Sequence, residues 1–204
     1  PEPRIPESKT ERLIYVVFIW KNAIFRGSIF LSVNQKPDMQ LFYREKGIDT
    51  HPPLIILHGL WGASDNWLPV ADLLSHRFHV ILPDLRNHGC SPHSSLFDYT
   101  ILSQDTEELI GRLNLPQRPF LAGHSLGGKT LMHLVLKHPE IVEKAAIIDI
   151  CPQAYTLDRQ TMHRSLSEYI LTTPLQNFHR RQEIHRAVRE YFSTEEEVQI
   201  LLKN

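Results

Sequence analysis

Two cysteines in 204 residues, Cys90 and Cys151, are too few for a disulfide framework, and neither stands in metal-ligand spacing. A reducing cytoplasm is the expected setting. An excess of one charge is lacking too: 22 Lys and Arg against 23 Asp and Glu leave a formal net charge of −1, which offers no footprint for nucleic acid or an anionic membrane. A small-molecule substrate is the expected partner. The longest apolar run, Leu13 to Trp20, stops at Lys21, well short of the ~20 residues a membrane span requires. The twelve histidines show neither H-x-x-x-H nor H-E-x-x-H spacing, so no metal is expected. No internal repeat or low-complexity tract is present. The first residue is Pro1 rather than Met, the mark of a processed chain or a piece of a longer reading frame.

What is present is a core of ordinary size. The hydrophobic fraction of 42% fits one α/β domain. Residues 1–12 read as a polar, proline-rich leader, and 13–33 have the β-branched and aromatic character of one or two edge strands, so 1–38 form a leader of uncertain structure. Met39–Arg44 alternates as a strand. Leu54–Leu57 and Phe78–Leu82 are continuously apolar, as strands buried on both faces of a parallel sheet are. Asp65 or Asn66 can cap a short helix reaching Leu74, and Tyr99–Leu113 has the spacing of an amphipathic helix. With the strand Phe120–Gly123, a helix to His138 and the strand Ala145–Ile150, the order is β-α-β-α, which predicts a doubly wound, mostly parallel sheet over 39–152. After Pro152 the pattern turns helical, with segments at about 155–171, 175–191 and 194–203, the second opening near Pro174 and the third on a Thr194 to Glu197 capping box. A helical block after a sheet strand, 153–204, reads as a cap, and the chain stops inside it.

The chemistry concentrates at Gly123-His124-Ser125-Leu126-Gly127-Gly128-Lys129-Thr130. A strand that becomes a helix within a few residues needs glycines, and G-x-S-x-G puts the Ser125 hydroxyl at the apex, with the Leu126 amide facing any oxygen bound beside it. The same letters also satisfy the phosphate loop G-x-x-x-x-G-K-[ST], with Asp149, at the end of an apolar strand, as a magnesium-holding acid. One stretch thus supports an acyl hydrolase or a nucleotide hydrolase. A phosphate loop normally follows the first strand of its domain, whereas three strands precede this one. The loop His58-Gly59-Leu60-Trp61-Gly62 has a direct use only in the hydrolase, bringing the Leu60 amide to an oxyanion as a second donor.

HGLWGASDNW, DLRNHGCSP, GHSLGGK, AAIIDICP and the cap stretch RRQEIHRAVREY resemble the small α/β-hydrolase-fold serine esterases of the bacterial YbfF type, over about 40–204. The resemblance implies an α/β-hydrolase fold, incomplete at the C-terminus, with a helical cap. It implies Ser125 as nucleophile, the backbone N–H groups of Leu60 and Leu126 as oxyanion donors, Asp149 as the triad acid, and no cofactor. The substrate would be a small carboxylic ester or thioester, attacked through an acyl-enzyme. The family's catalytic histidine follows the cap and is expected beyond Asn204, so this chain is expected to be a low-activity fragment. A non-catalytic ligand-binding remnant is the other alternative.

Of the histidines present, His58 and His124 are expected to pack beneath the site with hydrogen bonds to backbone, His88 to belong to a structural loop, and His163, His179 and His185 to sit on cap helices. Asp84 and Arg86 are expected to form an ion pair, and Lys129 to face outward or reach a carboxylate. Trp61 and Trp67 can line an acyl pocket or fill the core, and the two cysteines are expected as small apolar fillers.

Overall fold

A computed structural model of the chain describes residues 16–19, 39–154, 164, 167–173, 178–191, 195, 198–199 and 202. The expected leader 1–12, the opening of the cap at 155–163, Pro174 and the Thr194 to Glu197 capping box fall outside these residues. Six strands form one sheet in the order β1-β6-β5-β3-β4-β2. They are β1 (Val16–Ile19), β2 (Tyr43–Lys46), β3 (Pro53–Leu57), β4 (His79–Pro83), β5 (Phe120–His124) and β6 (Lys144–Ile148). All neighbours are parallel except β2, which runs antiparallel to β4.

The parallel strands are apolar because helices cover both faces. β3 and β4 are buried at every position, as their uninterrupted runs of β-branched and leucine residues require. On one face Ile55, Leu57, Ile81 and Ile147 pack with Leu102 of α2 (Tyr99–Arg112) and Leu131, Leu134 and Val135 of α3 (Leu126–Lys137). On the other, Leu54, Ile56, Val80 and Leu82 pack with Ala71 of α1 (Leu68–Leu74). α2 starts where Asp98 accepts a hydrogen bond from the Ile101 amide at 2.8 Å, an ordinary N-cap.

Two local expectations shift. The strand expected over Met39–Arg44 begins only at Tyr43, because Met39 and Leu41 instead bury themselves against Leu109 of α2, and Arg112 donates to the Met39 carbonyl at 2.6 Å. Ahead of α1, the chain makes a 3-10 turn over Ser64–Trp67, with Asn66 Oδ1 accepting from the Ala63 amide at 2.7 Å. β1 lies along the outer edge of β6, Val16 opposite Ala145 and Ile19 opposite Ile148, an edge strand from within the stretch expected to supply one.

Beyond the sheet, residues 167–172 are helical and α4 spans Arg181–Val188. Val188 and Val198 centre a separate apolar cluster with Tyr169, Ile170, Ile184, Tyr191 and Leu202, and Trp61 from the core joins it. Among the described residues no helix is long and apolar enough to cross a membrane.

Candidate active site

The carboxyl ends of the four central parallel strands each lead into a non-glycine residue with left-handed φ. Trp61 follows β3 (φ 61°), Asn87 follows β4 (φ 64°), Ser125 ends β5 (φ 50°) and Asp149 ends β6 (φ 52°). Each such residue costs of order 1–3 kcal/mol, and strain of this kind gathers where a fold presents side chains for chemistry. In an open parallel sheet the ligand crevice lies at these same strand ends.

Ser125 has ψ −109° and caps α3, so the chain reverses from strand to helix within one residue. The glycines around it allow close approach: a Cβ on Gly123 would stand 2.5 Å from the Gly127 carbonyl oxygen, and one on Gly127 would stand 2.5 Å from that of Leu57. The Ser125 amide donates to Ile148 O at 3.1 Å, tying the elbow to β6. Ser125 is partly exposed, and its hydroxyl has no hydrogen-bond partner among the described residues.

The loop after β3 lies against the elbow. Gly127 N donates to His58 O at 3.1 Å, and a Cβ on Gly59 would come within 3.4 Å of Ser125 Cβ. The Leu60 and Leu126 amides carry no hydrogen bond to another described residue. His58 beneath the loop is buried and fully engaged: Leu85 N donates to its Nε2 at 2.9 Å, which leaves Nδ1–H to donate to Gly59 O at 2.8 Å. Burial pushes its pKa down to about 4, so the ring is neutral and has no free nitrogen to act as a base. Asp84 fixes the same region, accepting from the amides of Ser64 (2.5 Å) and Cys90 (2.8 Å).

Asp149, two-thirds exposed, faces His124 with 3.9 Å between Oδ2 and Nε2. Burial lowers the His124 pKa against the opposing pull of Asp149, so at neutral pH this is a contact with a neutral ring. His124 therefore looks toward a carboxylate, where backbone was expected. His88 does bond backbone, its Nδ1 with Arg86 O at 2.8 Å, and burial lowers its pKa too. On the cap, His185 meets Glu195 at 2.6 Å, and His163 lies outside the described residues. No described histidine is hydrogen-bonded to Ser125.

Two charged residues depart from expectation. Arg86 does not pair with Asp84. It makes a two-point contact with Asp105 on α2, both side chains wholly buried, and donates to Leu96 O at 2.8 Å. Asp84 is better used capping backbone amides that have no other partner. Lys129 does not face solvent: it is buried and its Nζ donates to Gln153 O at 2.5 Å. That ammonium braces the start of the cap, not the interior of the 123–128 loop where a phosphate-loop lysine would serve.

Beside the loop after β3 lies a cavity of about 450 Å3, lined by Leu60, Trp61, Asn87, His88, His93 and Phe97 with Gly89. Of the two tryptophans singled out in the sequence, Trp61 lines it and Trp67 packs in the core, near His124. Asn87 lies within the DLRNHGCSP stretch, whereas His93 and Phe97 carried no sequence signal. Among the described residues no three His, Cys, Asp or Glu side chains converge as a metal site.

The family model for the alpha/beta hydrolase fold matches residues 52–189. Esterase YbfF of Escherichia coli (strain K12) is 30% identical over 152 residues, covering 74% of this chain and 58% of that protein. The sn-1-specific diacylglycerol lipase ABHD11 of Mus musculus is 41% identical over 112 residues, covering 54% of this chain and 36% of the lipase. Among solved structures, a marine microorganism esterase superposes with a TM-score of 0.75 at 36% identity, over 81% of this chain and 64% of the esterase. The chain thus spans between a third and two thirds of the length of these proteins. With the elbow, the parallel sheet and these similarities in agreement, the chain belongs to the alpha/beta hydrolase fold family and is similar to its esterases and lipases.

Proposed function

We propose that the site is that of a serine hydrolase of small carboxylic esters or thioesters acting through an acyl-enzyme. The Ser125 Oγ attacks the carbonyl carbon, and its proton passes to a base. The Leu60 and Leu126 N–H groups stabilise the oxyanion, each donor worth ~3 kcal/mol in the transition state. Collapse of the tetrahedral intermediate expels the protonated alcohol or thiol. Water then attacks the acyl-enzyme and releases the acid and Ser125. Asp149, one strand over from Ser125, is the group that would orient a histidine base.

The observation that carries this reading is the juxtaposition of the strained Ser125, its hydroxyl unpartnered among the described residues, with the loop bearing Leu60, through the Gly127 to His58 bond. Ester substrates are favoured because the similar proteins are named esterases and lipases. Since no described histidine serves Ser125, turnover by these 204 residues is proposed to be low, limited to what the oxyanion hole and binding supply. The test is hydrolysis of p-nitrophenyl butyrate by the purified chain beside Ser125→Ala. Slow hydrolysis lost in Ser125→Ala supports the reading, and hydrolysis unchanged by that substitution overturns it.

A further inference from the structure

We infer that the cavity between the Leu60–Trp61 loop and residues 87–97 takes the unbranched apolar chain of the substrate, and that Phe97 and His93 at its rim set the length accepted. The inference rests on the hydrolase reading for its orientation, since Leu60 contributes both the oxyanion amide and a wall of the cavity. A chain attached at the reacting carbonyl therefore has an apolar recess within reach.

The lining suits hydrocarbon. Leu60, Trp61 and Phe97 are apolar, and His88 is held neutral by burial while its Nδ1–H is spent on Arg86 O. The volume, about 450 Å3, lies in the range of small-ligand pockets. The wall opposite Leu60 is also preformed. Asn87 Nδ2 donates to Ser94 O at 2.9 Å while Ser94 N donates to Asn87 Oδ1 at 2.6 Å, and Asn87 N donates to Pro92 O at 3.2 Å. Arg86, anchored on Asp105, holds the Leu96 carbonyl from below. A loop cross-braced in this way keeps its recess open without a ligand, so filling it costs little ordering. Phe97 stays 42% exposed at the rim, apolar surface that a bound chain would cover.

The test uses Trp61 as reporter, in the full 204-residue chain with Trp20→Phe and Trp67→Phe. Its fluorescence is titrated with two homologous series, methyl alkanoates from acetate to decanoate and n-alkyl acetates of the same lengths. The expected result is an affinity that rises about fourfold per added methylene in at least one series until the recess is full, and then levels. The series that rises tells whether the acyl or the alcohol side enters. Phe97→Ala should flatten the rise, and His93→Phe should bring the plateau to shorter chains, with far-UV circular dichroism unchanged because both residues are exposed. Ser125→Ala should leave the length dependence intact, so absence of hydrolysis does not count against the recess. Affinity independent of length in both series, or a rise untouched by both rim variants, overturns the inference.

Discussion

The amide of Gly127 donates to the carbonyl of His58 across 3.1 Å, and this bond joins the start of α3 to the end of β3. Leu126 lies one residue before the donor and Leu60 two residues after the acceptor. The bond therefore fixes the relative position of the two backbone N–H groups proposed to hold the oxyanion. Glycine at 127 is what lets the strands and helix come that close.

Gly127→Ala should accordingly be severe, because the new Cβ would meet backbone and Leu57 Cβ at 2.5–2.8 Å. A loss of ~2–3 kcal/mol in urea unfolding is expected, in the range of overpacked cores. Gly111→Ala in α2, with nothing within 4 Å of its Cβ, should instead gain ~0.5–1 kcal/mol.

The buried Arg86–Asp105 pair yields a second expectation. Asp105→Asn leaves a guanidinium buried without its counter-charge and should cost ~3–5 kcal/mol, read from the urea midpoint. The double replacement Arg86→Met with Asp105→Leu should unfold later than Asp105→Asn, since no charge is then left buried.

Stability should also rise with pH across the acidic range. His58 titrates at about 4 in the folded chain against 6.5 when exposed, so the folded state binds fewer protons between those values. Its contribution, ~3 kcal/mol, is complete above pH 6.5 and is lost as pH falls toward 4. His88, His124 and His133 are lowered too and add in the same direction. Urea midpoints at pH 7.5 and 4.5 should differ less in His58→Gln than in the unsubstituted chain.

Trp61→Ala should loosen the cap while sparing the sheet, because among the described residues Trp61 packs from the core into the Val188–Val198 cluster. Limited proteolysis should cut within 164–202 faster in this variant, with 39–154 still protected. Equal cutting rates would show that the cap is held by other contacts.

The parallel strands were legible because burial on both faces leaves an unbroken apolar run, and Leu54–Leu57 has no other use. The elbow was legible because its glycines admit few alternatives. The partner of Arg86 was not legible: Asp105 sits among the acids of an amphipathic helix, and only the folded sheet turns it inward. The contact of Lys129 with Gln153 O was not legible either, since a backbone carbonyl at the cap entrance has no sequence signature. Met39 and Leu41 looked like strand residues by alternation, yet their burial comes from α2 instead of a ladder.

Fluorophosphonate labelling of the intact chain, mapped by mass spectrometry, tests the central claim most directly. The account predicts a single slow adduct on Ser125, faster in added imidazole as an external base and absent in Ser125→Ala. No adduct at Ser125, together with magnesium-dependent ATP binding abolished by Lys129→Ala, would contradict it.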